Sequence, residues 1–243
     1  MSPSRRPRAA SSGGAEATRR VSAEAAGGTK GDPRRLIVLR HGQTGSNLKG
    51  IWQGQLDHEL TDLGREQARA AAAAIASLRP TRVVSSDLVR ARDTAEEVAA
   101  ASGGLPVSTD ERWREIHAGG WQGLTAAQVY SQYPQDADKL ISGEDFKRGG
   151  HGESLADVGA RTRAALDELL ASMDPGECVV IATHGVTGRS LVAELVGLDQ
   201  STAWRVLGGF GNCHWAVLEE GATTMTGRSG WRITQWNASA VGL

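Results

Sequence analysis

Basic side chains stand at the ends of apolar runs in this sequence, which is an unusual position for charge. Arg40 and His41 directly follow the aliphatic run Leu36–Leu39. Arg90 comes a few residues after a second apolar run, and His184 comes directly after a third. Because short apolar runs of this kind predict buried strands, each of these four side chains is expected near a strand end.

Two guanidinium groups and two imidazoles at one edge of a sheet indicate phosphoryl chemistry. The forks of Arg40 and Arg90 match the oxygens of a phosphate group and stay charged at any working pH. Nearby cations favour the uncharged form of an imidazole, so His41 is a candidate nucleophile. Phosphoryl transfer needs mainly positioning and charge stabilisation, which Arg40, Arg90 and His184 could supply without a metal ion.

The leaving oxygen of such a reaction needs a proton, and Glu115 is the candidate donor. It lies in the segment WREIHAGGWQG, which is rich in glycine and tryptophan. A carboxyl group close to apolar rings and to a phosphate is expected to hold its proton more tightly than in water. We therefore expect Glu115 to act as the general acid.

The strands that must position these groups are predicted from the apolar runs. LIVL at 36–39, TRVVSS at 81–86 and CVVIAT at 178–183 are expected to be buried strands. HWAVLEE at 214–220 and WRITQW at 231–236 are expected to form a late hairpin.

Helical periodicity fills the intervals between these runs, at 60–78, 88–102, 154–173 and 186–198. Thr61 and Ser154 are the expected N-caps of the first and third helices. The expected buried face of the first helix consists of Leu63, Ala71, Ala74, Ile75 and Leu78.

This alternation predicts an α/β fold, a three-layer α/β/α sandwich whose mostly parallel sheet is covered on both faces. Ligands of such sheets bind outside the carboxyl ends of the strands. We therefore expect Arg40, His41, Arg90 and His184 to lie at one rim of the sheet.

Four sequence blocks, LRHGQT, SSDLVRARDTA, EIHAGGWQGLT and THGV, resemble in their order the phosphoglycerate-mutase-like branch of the histidine phosphatase superfamily. LTDLGREQA also resembles the first helix of that family, and the resemblance spans roughly residues 35–240. It implies a phosphoglycerate mutase-like fold. It also implies a reaction in which His41 is phosphorylated and the phosphohistidine is then hydrolysed.

The resemblance further implies which residues form the site. The catalytic set would be His41, Glu115, Arg40, Arg90 and His184. The set that binds phosphate or substrate would be Arg40, Asn47, Gln53, Gly54, Arg90, His184 and Gly185. No metal ligands and no cofactor are expected, and His58, His117, His151 and His214 lack the spacing of a metal site.

The family contains both phosphatases and mutases, and the sequence favours a phosphatase. Cofactor-dependent mutases usually carry RFTGW after the first motif, whereas this chain has GIWQGQLD, with Gln53 and Gly54 at the corresponding place. The alternatives are a phosphoglycerate mutase and, more remotely, a non-catalytic protein that binds a phosphorylated ligand. The expected substrate is a small phosphorylated metabolite, a sugar phosphate or phosphoglycerate derivative, with glucosyl-3-phosphoglycerate first. The segment around Tyr130–Ser154 sets specificity, and its pattern does not predict a structure.

Two features beside the motifs stay open at this stage. Asn212, in GGFGN, is either a turn residue or part of the site. Most of the seven tryptophans are expected to pack in the core. For Trp52, Trp113 and Trp121, which lie in or beside the motifs, the alternative is that they form a wall of the pocket or pack on a sugar ring.

Composition bounds the remaining properties of the 243-residue chain. Residues 1–34 contain almost no large apolar side chains and are expected to be a disordered basic tail, and 35–243 are expected to be one domain. No apolar stretch approaches the length of a membrane span, and no aromatic residue interleaves the basic tail, so neither a membrane nor nucleic acid is an expected partner. Two cysteines indicate a reducing compartment, hence the cytoplasm. A homodimer is plausible for this family.

Overall fold

The computed structural model describes residues 32–221 and 230–240. Six strands form one sheet in these ranges: β1 (Arg35–Arg40), β2 (Arg82–Ser85), β3 (Val107–Thr109), β4 (Cys178–Thr183), β5 (Trp215–Glu220) and β6 (Trp231–Ala238). Their order is β3-β2-β4-β1-β5-β6. The four strands β3, β2, β4 and β1 run parallel, and β5 and β6 add an antiparallel pair at the edge next to β1. The predicted mostly parallel sheet and the late hairpin are confirmed.

Helices cover the sheet on both faces. Those of the described residues are α1 (Gly45–Leu48), α2 (Asp62–Ala76), α3 (Val89–Ala101), α4 (Ala126–Gln132), α5 (Pro134–Ser142), α6 (Leu155–Ala171), α7 (Gly185–Val196) and α8 (Gln200–Val206), with 3-10 turns at Glu111–Trp113 and Gly119–Trp121. The sequence did not predict α1, α4, α5, α8 or the short edge strand β3. None of the helices in the described ranges combines the length and the apolarity needed to cross a membrane.

The two-residue period of the central strand divides the core into two layers. Leu36 and Val38 belong to one cluster, which is built with side chains of α6 and α7. Ile37 and Leu39 point to the opposite face, where they join side chains of α2 and α3. All four side chains are completely buried. A strand that is apolar on both faces therefore needs a helical layer on each, and the predicted three-layer α/β/α sandwich is confirmed.

Helix starts agree with the sequence, and most of the predicted buried face of α2 is confirmed. The hydroxyl of Thr61 accepts the N–H of Gly64 at 3.0 Å. The hydroxyl of Ser154 accepts the N–H of Asp157 at 3.1 Å, and the carboxylate of Asp157 accepts the N–H of Ser154 in return. Ala71 and Ile75 are buried, and Ala74 and Leu78 pack against the same core cluster. The prediction for Leu63 is wrong: this residue is 42% exposed, because the smaller residues Gly64 and Ala68 take the buried positions at this end of α2.

The predicted basic tail lies almost wholly outside the described residues. Its last residue, Arg34, is bound to the body of the protein: Nε and one terminal nitrogen donate to the two carboxylate oxygens of Glu220 at 2.7 and 2.6 Å. The other terminal nitrogen donates to the carbonyl oxygen of Leu170 at 2.7 Å.

Candidate active site

The three central strands end level with one another and bring the basic residues to one rim. Arg40 at the end of β1 is in register with Thr183 at the end of β4. His41 and His184 are the residues that follow these two positions, and the amide of His41 donates to the carbonyl oxygen of Thr183 at 3.0 Å. Arg90 lies in the first turn of α3, which follows β2. The structure therefore brings the four predicted basic residues together at the carboxyl ends of the strands.

The imidazole of His41 is buried and has a defined tautomer. Its Nδ1 lies 2.7 Å from the carbonyl oxygen of Gly42. A carbonyl only accepts, so Nδ1 carries the hydrogen and Nε2 keeps a free lone pair. Burial lowers the pKa of His41 well below its ordinary range, and the charges of Arg90 and Arg40 lower it further. The ring is thus held as a neutral base with one nitrogen available as a nucleophile.

The glycine after this histidine is required by close packing. A Cβ atom at Gly42 would lie 2.4 Å from the carbonyl oxygen of Gly64 in the first turn of α2. The backbone after β1 therefore presses directly on α2, and this contact fixes the position of the His41 ring.

Arg90 is a buried cation and Arg40 a partly buried one, and the protein holds both through carbonyl groups. Arg90 is fully buried, and its terminal nitrogens donate to the carbonyl oxygens of Gly54 and Leu56, both at 2.8 Å. Arg40 donates to the carbonyl oxygen of Phe210. Within the described residues no carboxylate lies within ion-pairing distance of either guanidinium, and the Nε of each has no hydrogen-bond partner. Burial lowers the pKa of Arg90 to about 10, so it remains charged at neutral pH.

His184 is held by a serine at the end of the neighbouring strand. Its Nε2 lies 2.9 Å from the hydroxyl oxygen of Ser86, and its Nδ1 has no partner among the described residues. The His184 ring stands edge-on to that of His41, with 5.2 Å between the centroids. Burial, then Arg90 and His41, lower the pKa of His184 well below its ordinary range.

Two carboxamides have their oxygens occupied by the protein. The Oδ1 of Asn47 accepts from the amide of Thr44 at 3.1 Å and from the Nδ2 of Asn212 at 3.1 Å. The Oε1 of Gln53 accepts from the hydroxyl of Thr44 at 2.9 Å. Both Asn47 and Gln53 line the cavity above His41. Their NH2 groups are therefore the atoms that remain to donate to a ligand.

Two predicted glycines lie beside these groups. The backbone of Gly54 supplies an acceptor to Arg90 and lines the cavity. Gly185 is the first residue of α7, and a Cβ atom there would lie 3.6 Å from the Nε of Arg40 and 3.8 Å from an oxygen of Glu115. It is thus placed between a cation and the candidate acid.

Glu115 lies in the wall of the same cavity, but its surroundings differ from those expected. Its Oε1 accepts from the amides of Ile116 and Thr187 at 2.9 and 3.0 Å, and its Oε2 accepts from the amide of Val186 at 3.2 Å. The amide of Ile116, two amides of the first turn of α7 and the hydroxyl of Thr187, rather than apolar rings, contact its oxygens. Among the described residues that line the cavity, Glu115 is the only carboxyl group.

The cavity over His41 combines one charged end with apolar walls. Its lining consists of Arg40, His41, Asn47, Gly50, Ile51, Trp52, Gln53, Gly54, Arg90, Glu115, Ile116 and Val186. Trp52 is thus the one tryptophan of the three beside the motifs that walls the cavity, whereas Trp113 and Trp121 are buried in the core. The sequence indicated no role for Ile51, Ile116 or Val186, although all three lie within the quoted blocks, because an apolar side chain carries no chemical signature of a site.

Asn212, whose role the sequence left open, contacts two residues of the candidate site without lining the cavity over His41. Its Nδ2 donates to the carbonyl oxygen of His41 at 3.2 Å as well as to Asn47.

The sequence indicated no role for Ser86, which it shows only as one of two serines before Arg90. In the described ranges no group of histidine, cysteine or acidic side chains is arranged to hold a metal ion.

The arrangement is suited to transfer of a phosphoryl group. A dianion placed between Arg40 and Arg90 would neutralise two cations that form no ion pair within the described residues, with NH2 donors from Asn47 and Gln53 at its side. His41, with its free nitrogen, and the carboxyl group of Glu115 line the same cavity, so a nucleophile and a group for proton transfer are both present.

Comparison with known proteins gives a consistent result. Residues 36–239 match the model of the histidine phosphatase superfamily (branch 1). The glucosyl-3-phosphoglycerate phosphatase of Mycolicibacterium vanbaalenii is 44% identical over 220 residues, which cover 85% of this chain and 96% of that protein. A probable phosphoglycerate mutase of Yersinia enterocolitica is 35% identical over 163 residues, covering 67% of this chain and 75% of that protein.

Solved structures give the same picture. A mycobacterial glucosyl-3-phosphoglycerate phosphatase in complex with VO3 superposes with a TM-score of 0.77 at 42% identity. The superposition covers 85% of this chain and all of the other.

Proposed function

Because the chain belongs to branch 1 of the histidine phosphatase superfamily, we propose that it is a phosphomonoesterase that hydrolyses glucosyl-3-phosphoglycerate through a phosphohistidine at His41. Glucosyl-3-phosphoglycerate is the substrate in the names of relatives that are 43–44% identical over 85% of the chain. The assignment of individual residues to steps is likewise a proposal, which the geometry of the site supports.

In the first step the phosphate group of the substrate lies between Arg40 and Arg90. The Nε2 of His41 attacks phosphorus, the P–O bond to the glycerate carbon skeleton breaks, and its electron pair stays on the leaving oxygen. Glu115 gives that oxygen a proton, so the alcohol leaves neutral. Charge on the equatorial oxygens is stabilised by the two guanidinium groups and by His184.

In the second step water attacks the same phosphorus atom. Glu115, now ionised, takes a proton from the water as the P–N bond to His41 breaks. Inorganic phosphate leaves, and both His41 and Glu115 return to their starting protonation states. The reaction thus consumes one ester and one water and produces one alcohol and one phosphate.

One observation carries this proposal above the others: within the described residues, the fully buried Arg90 and the partly buried Arg40 form no ion pair, and both act on a histidine whose Nε2 is left free by the Nδ1–Gly42 bond. Burying a cation without an ion-pair partner is costly, so an anion bound beside the two guanidinium groups would be stabilised, in addition to the charge that Glu115 already exerts on them.

The proposed substrate is further supported by three segments. WQGQLDHEL, LGGFGNCHWAVLE and WRITQWNASA resemble the corresponding parts of actinobacterial glucosyl-3-phosphoglycerate phosphatases. Trp52 gives the cavity an aromatic wall that is backed by Trp121, with 4.9 Å between the ring centroids. Such a wall is suited to the apolar face of a sugar ring.

The experiment that tests the reaction is a quench in alkaline SDS, in which the P–N bond of phosphohistidine survives, during turnover with a 32P-labelled substrate. Wild type is expected to retain label on His41, and His41→Ala is expected to lose both the label and phosphate release. His151→Ala, an exposed histidine outside the cavity lining, is the matched control and is expected to behave as wild type. Full turnover by His41→Ala would refute the mechanism.

The substrate is tested separately by phosphate release, in EDTA, from a panel. The panel contains glucosyl-3-phosphoglycerate, mannosyl-3-phosphoglycerate, 3-phosphoglycerate and fructose-2,6-bisphosphate. A preference of about 100-fold for the first, or about 2.7 kcal/mol of transition-state discrimination, supports the proposed substrate. A flat profile would leave the phosphatase chemistry and overturn the substrate. Faster conversion of 3- to 2-phosphoglycerate than phosphate release would instead identify a mutase.

The cellular location, the oligomeric state and the domain organisation are also proposals. A cytoplasmic location is supported by Cys178 and Cys213, which are both free and buried. A homodimer would give the strand at the sheet edge, β6, a partner, and light scattering coupled to gel filtration tests it. The basic tail at residues 1–34 and the single domain at 35–243 are the proposed organisation of the chain.

A further inference from the structure

The chain contains three asparagines, and all three belong to one set of hydrogen bonds beside His41. Asn47 lies in α1, Asn212 in the loop before β5, and Asn237 near the end of β6. The Nδ2 of Asn212 donates to the Oδ1 of Asn47, and the Oδ1 of Asn237 accepts the amide of Gly211, the residue before Asn212. Of the three, only Asn47 has been placed above among the donors to the phosphate.

The orientation of the Asn212 carboxamide follows from its partners. One atom of this group lies 3.2 Å from the carbonyl oxygen of His41, which only accepts. That atom must therefore be the NH2 nitrogen, and the same nitrogen faces Asn47. The atom of Asn47 that it meets, at 3.1 Å, must be an acceptor, so Asn47 turns its oxygen to Asn212 and its own NH2 group to the cavity.

The loop that carries Asn212 is an extension of the pairing between β1 and β5. Beyond the last paired residues, the amide of Arg40 donates to the carbonyl oxygen of His214, and the amide of Cys213 donates to that of His41. Cys213 has a positive φ of 55°, which is uncommon for a residue with a side chain. This turn of the backbone directs Asn212 towards the nucleophile, and surrounding contacts are needed to hold it.

Asn237 supplies those contacts on both sides of Asn212. Its Oδ1 accepts from the amide of Gly211 at 2.9 Å and from the Nδ1 of His214 at 2.9 Å. A Cβ atom at Gly211 would lie 2.8 Å from the His214 ring, so the loop is closely packed at this point. Asn237 itself has a φ of 52°, a conformation that asparagine tolerates better than most residues.

We propose that Asn212 is a positioning residue that orients the carboxamide of Asn47 with its NH2 group towards the bound phosphate, and that Asn237 anchors the loop from which Asn212 acts. The inference rests on the proposed function, since it assumes that Asn47 donates to the phosphate. It adds two residues from the C-terminal part of the chain to a site whose motifs all lie before residue 187.

The test is a double-mutant cycle read by the inhibition constant of inorganic phosphate. Asn47→Ala is expected to weaken phosphate binding about tenfold, and Asn212→Ala about fivefold, as for loss of one hydrogen bond. Because Asn212 acts through Asn47, the inhibition constant of the double variant is expected to lie within about twofold of that of Asn47→Ala. Independent, multiplying effects of the two substitutions would overturn the inference, as would an unchanged constant for Asn212→Ala.

Substitution by aspartate separates the two new residues from each other. The side chain of Asn237 only accepts, so Asn237→Asp keeps both of its hydrogen bonds and is expected to bind phosphate within about twofold of wild type. Asn237→Ala is expected to weaken phosphate binding about as much as Asn212→Ala does. Asn212 only donates, so Asn212→Asp is expected to weaken phosphate binding more than Asn212→Ala. Equal tolerance of aspartate at both positions would overturn the inference.

Thermal unfolding of each variant shows whether a loss of binding comes from unfolding instead. The labelling experiment with the alkaline quench distinguishes this inference from the proposed function. If Asn212→Ala changes nothing while His41 is still labelled, only the inference fails. If wild type carries no label at His41, the proposed function fails.

Discussion

The rings of His41 and His184 stand edge to face with 5.2 Å between their centroids, and both are buried beside two arginines. Burial, followed by Arg90 and Arg40, holds the pKa of His41 well below the ordinary value of 6.5. Burial, followed by Arg90, does the same for His184. The folded protein therefore keeps both rings neutral at pH values where the unfolded chain would protonate them.

This pair predicts that the protein loses stability as the pH falls below about 6.5. Between that pH and the lower pKa values of the folded state, the unfolded chain binds more protons, so the free energy of unfolding falls with falling pH. Each histidine contributes up to about 1.4 kcal/mol per pH unit in this window. Carboxylates with lowered pKa, such as Asp87 and Glu220, act only near pH 4 and below, outside it.

Urea unfolding of the ligand-free protein at pH 7.5 and 5.5 measures this dependence. His184→Asn is expected to shrink the difference between the two pH values by about half, whatever its effect on stability at pH 7.5. The exposed variant His151→Asn is the control, with an expected difference like that of wild type. A wild-type protein that is equally stable at both pH values would contradict the prediction.

The hydroxyl of Ser86 is predicted to keep the His184 ring in its working orientation. Ser86→Ala removes the 2.9 Å contact with Nε2 and is expected to lower kcat/KM about tenfold. Ser85→Ala is a closely matched control, because Ser85 is equally buried and its hydroxyl donates to a carbonyl oxygen at 2.8 Å without touching a histidine. Steady-state kinetics and thermal unfolding of both variants are compared. Equal losses of activity would mean that Ser86 acts through stability alone.

The strands, helix starts and strand-end residues could be predicted from the sequence because each depends on residues that are close together in the chain. The apolar run at 36–39 became a central strand because a strand buried on both faces needs aliphatic residues at every position. Thr61 and Ser154 became N-caps because their hydroxyls satisfy amides within the next turn. The meeting of Arg40, His41 and His184 followed from the rule that parallel strands end at one rim.

The parts that the sequence did not predict depend on contacts between distant residues. Leu63 has the right spacing for a buried position, but Gly64 and Ala68 are the residues buried at that end of α2. The surroundings of Glu115 are made by amides of α7, which lie some 70 residues further along the chain. The bond between Asn47 and Asn212 spans 165 positions, and no local pattern carries it.

Arg34 is predicted to stabilise the folded domain, whereas residues 1–31 before it are predicted to make no contribution to its thermal stability. Its paired bonds to Glu220 are partly exposed, with 22% and 34% of the two side chains accessible, so their net contribution is about 1 kcal/mol. Removal of residues 1–31 is expected to leave the thermal midpoint unchanged. Arg34→Ala in the shortened protein is expected to lower it by about 2–4 °C.

Differential scanning calorimetry of wild type, the shortened protein and its Arg34→Ala variant measures these midpoints. Arg79→Ala, at an exposed arginine that forms no ion pair within the described residues, serves as the control for loss of one surface charge. All of these proteins are expected to keep wild-type kcat/KM, because Arg34 is not part of the cavity lining. A lower midpoint after removal of residues 1–31 alone would contradict the proposed domain boundary.

Arg90 is predicted to act through the shape of its guanidinium group as well as its charge. Two of its donors are fixed on the carbonyl oxygens of Gly54 and Leu56, so the group is held in one orientation before the ligand arrives. Lysine keeps the charge but cannot bind two carbonyls and a phosphate in one plane. Arg90→Lys is therefore expected to lower kcat/KM about 100-fold, mostly through kcat, since the transition state carries the charge that the fork stabilises.

Arg92→Lys, on the same helix and 45% exposed, is the matched control, and its kcat/KM is expected to stay within about twofold of wild type. If Arg90→Lys keeps wild-type kcat/KM, positive charge alone suffices at this position, and the planar fork has no part in catalysis.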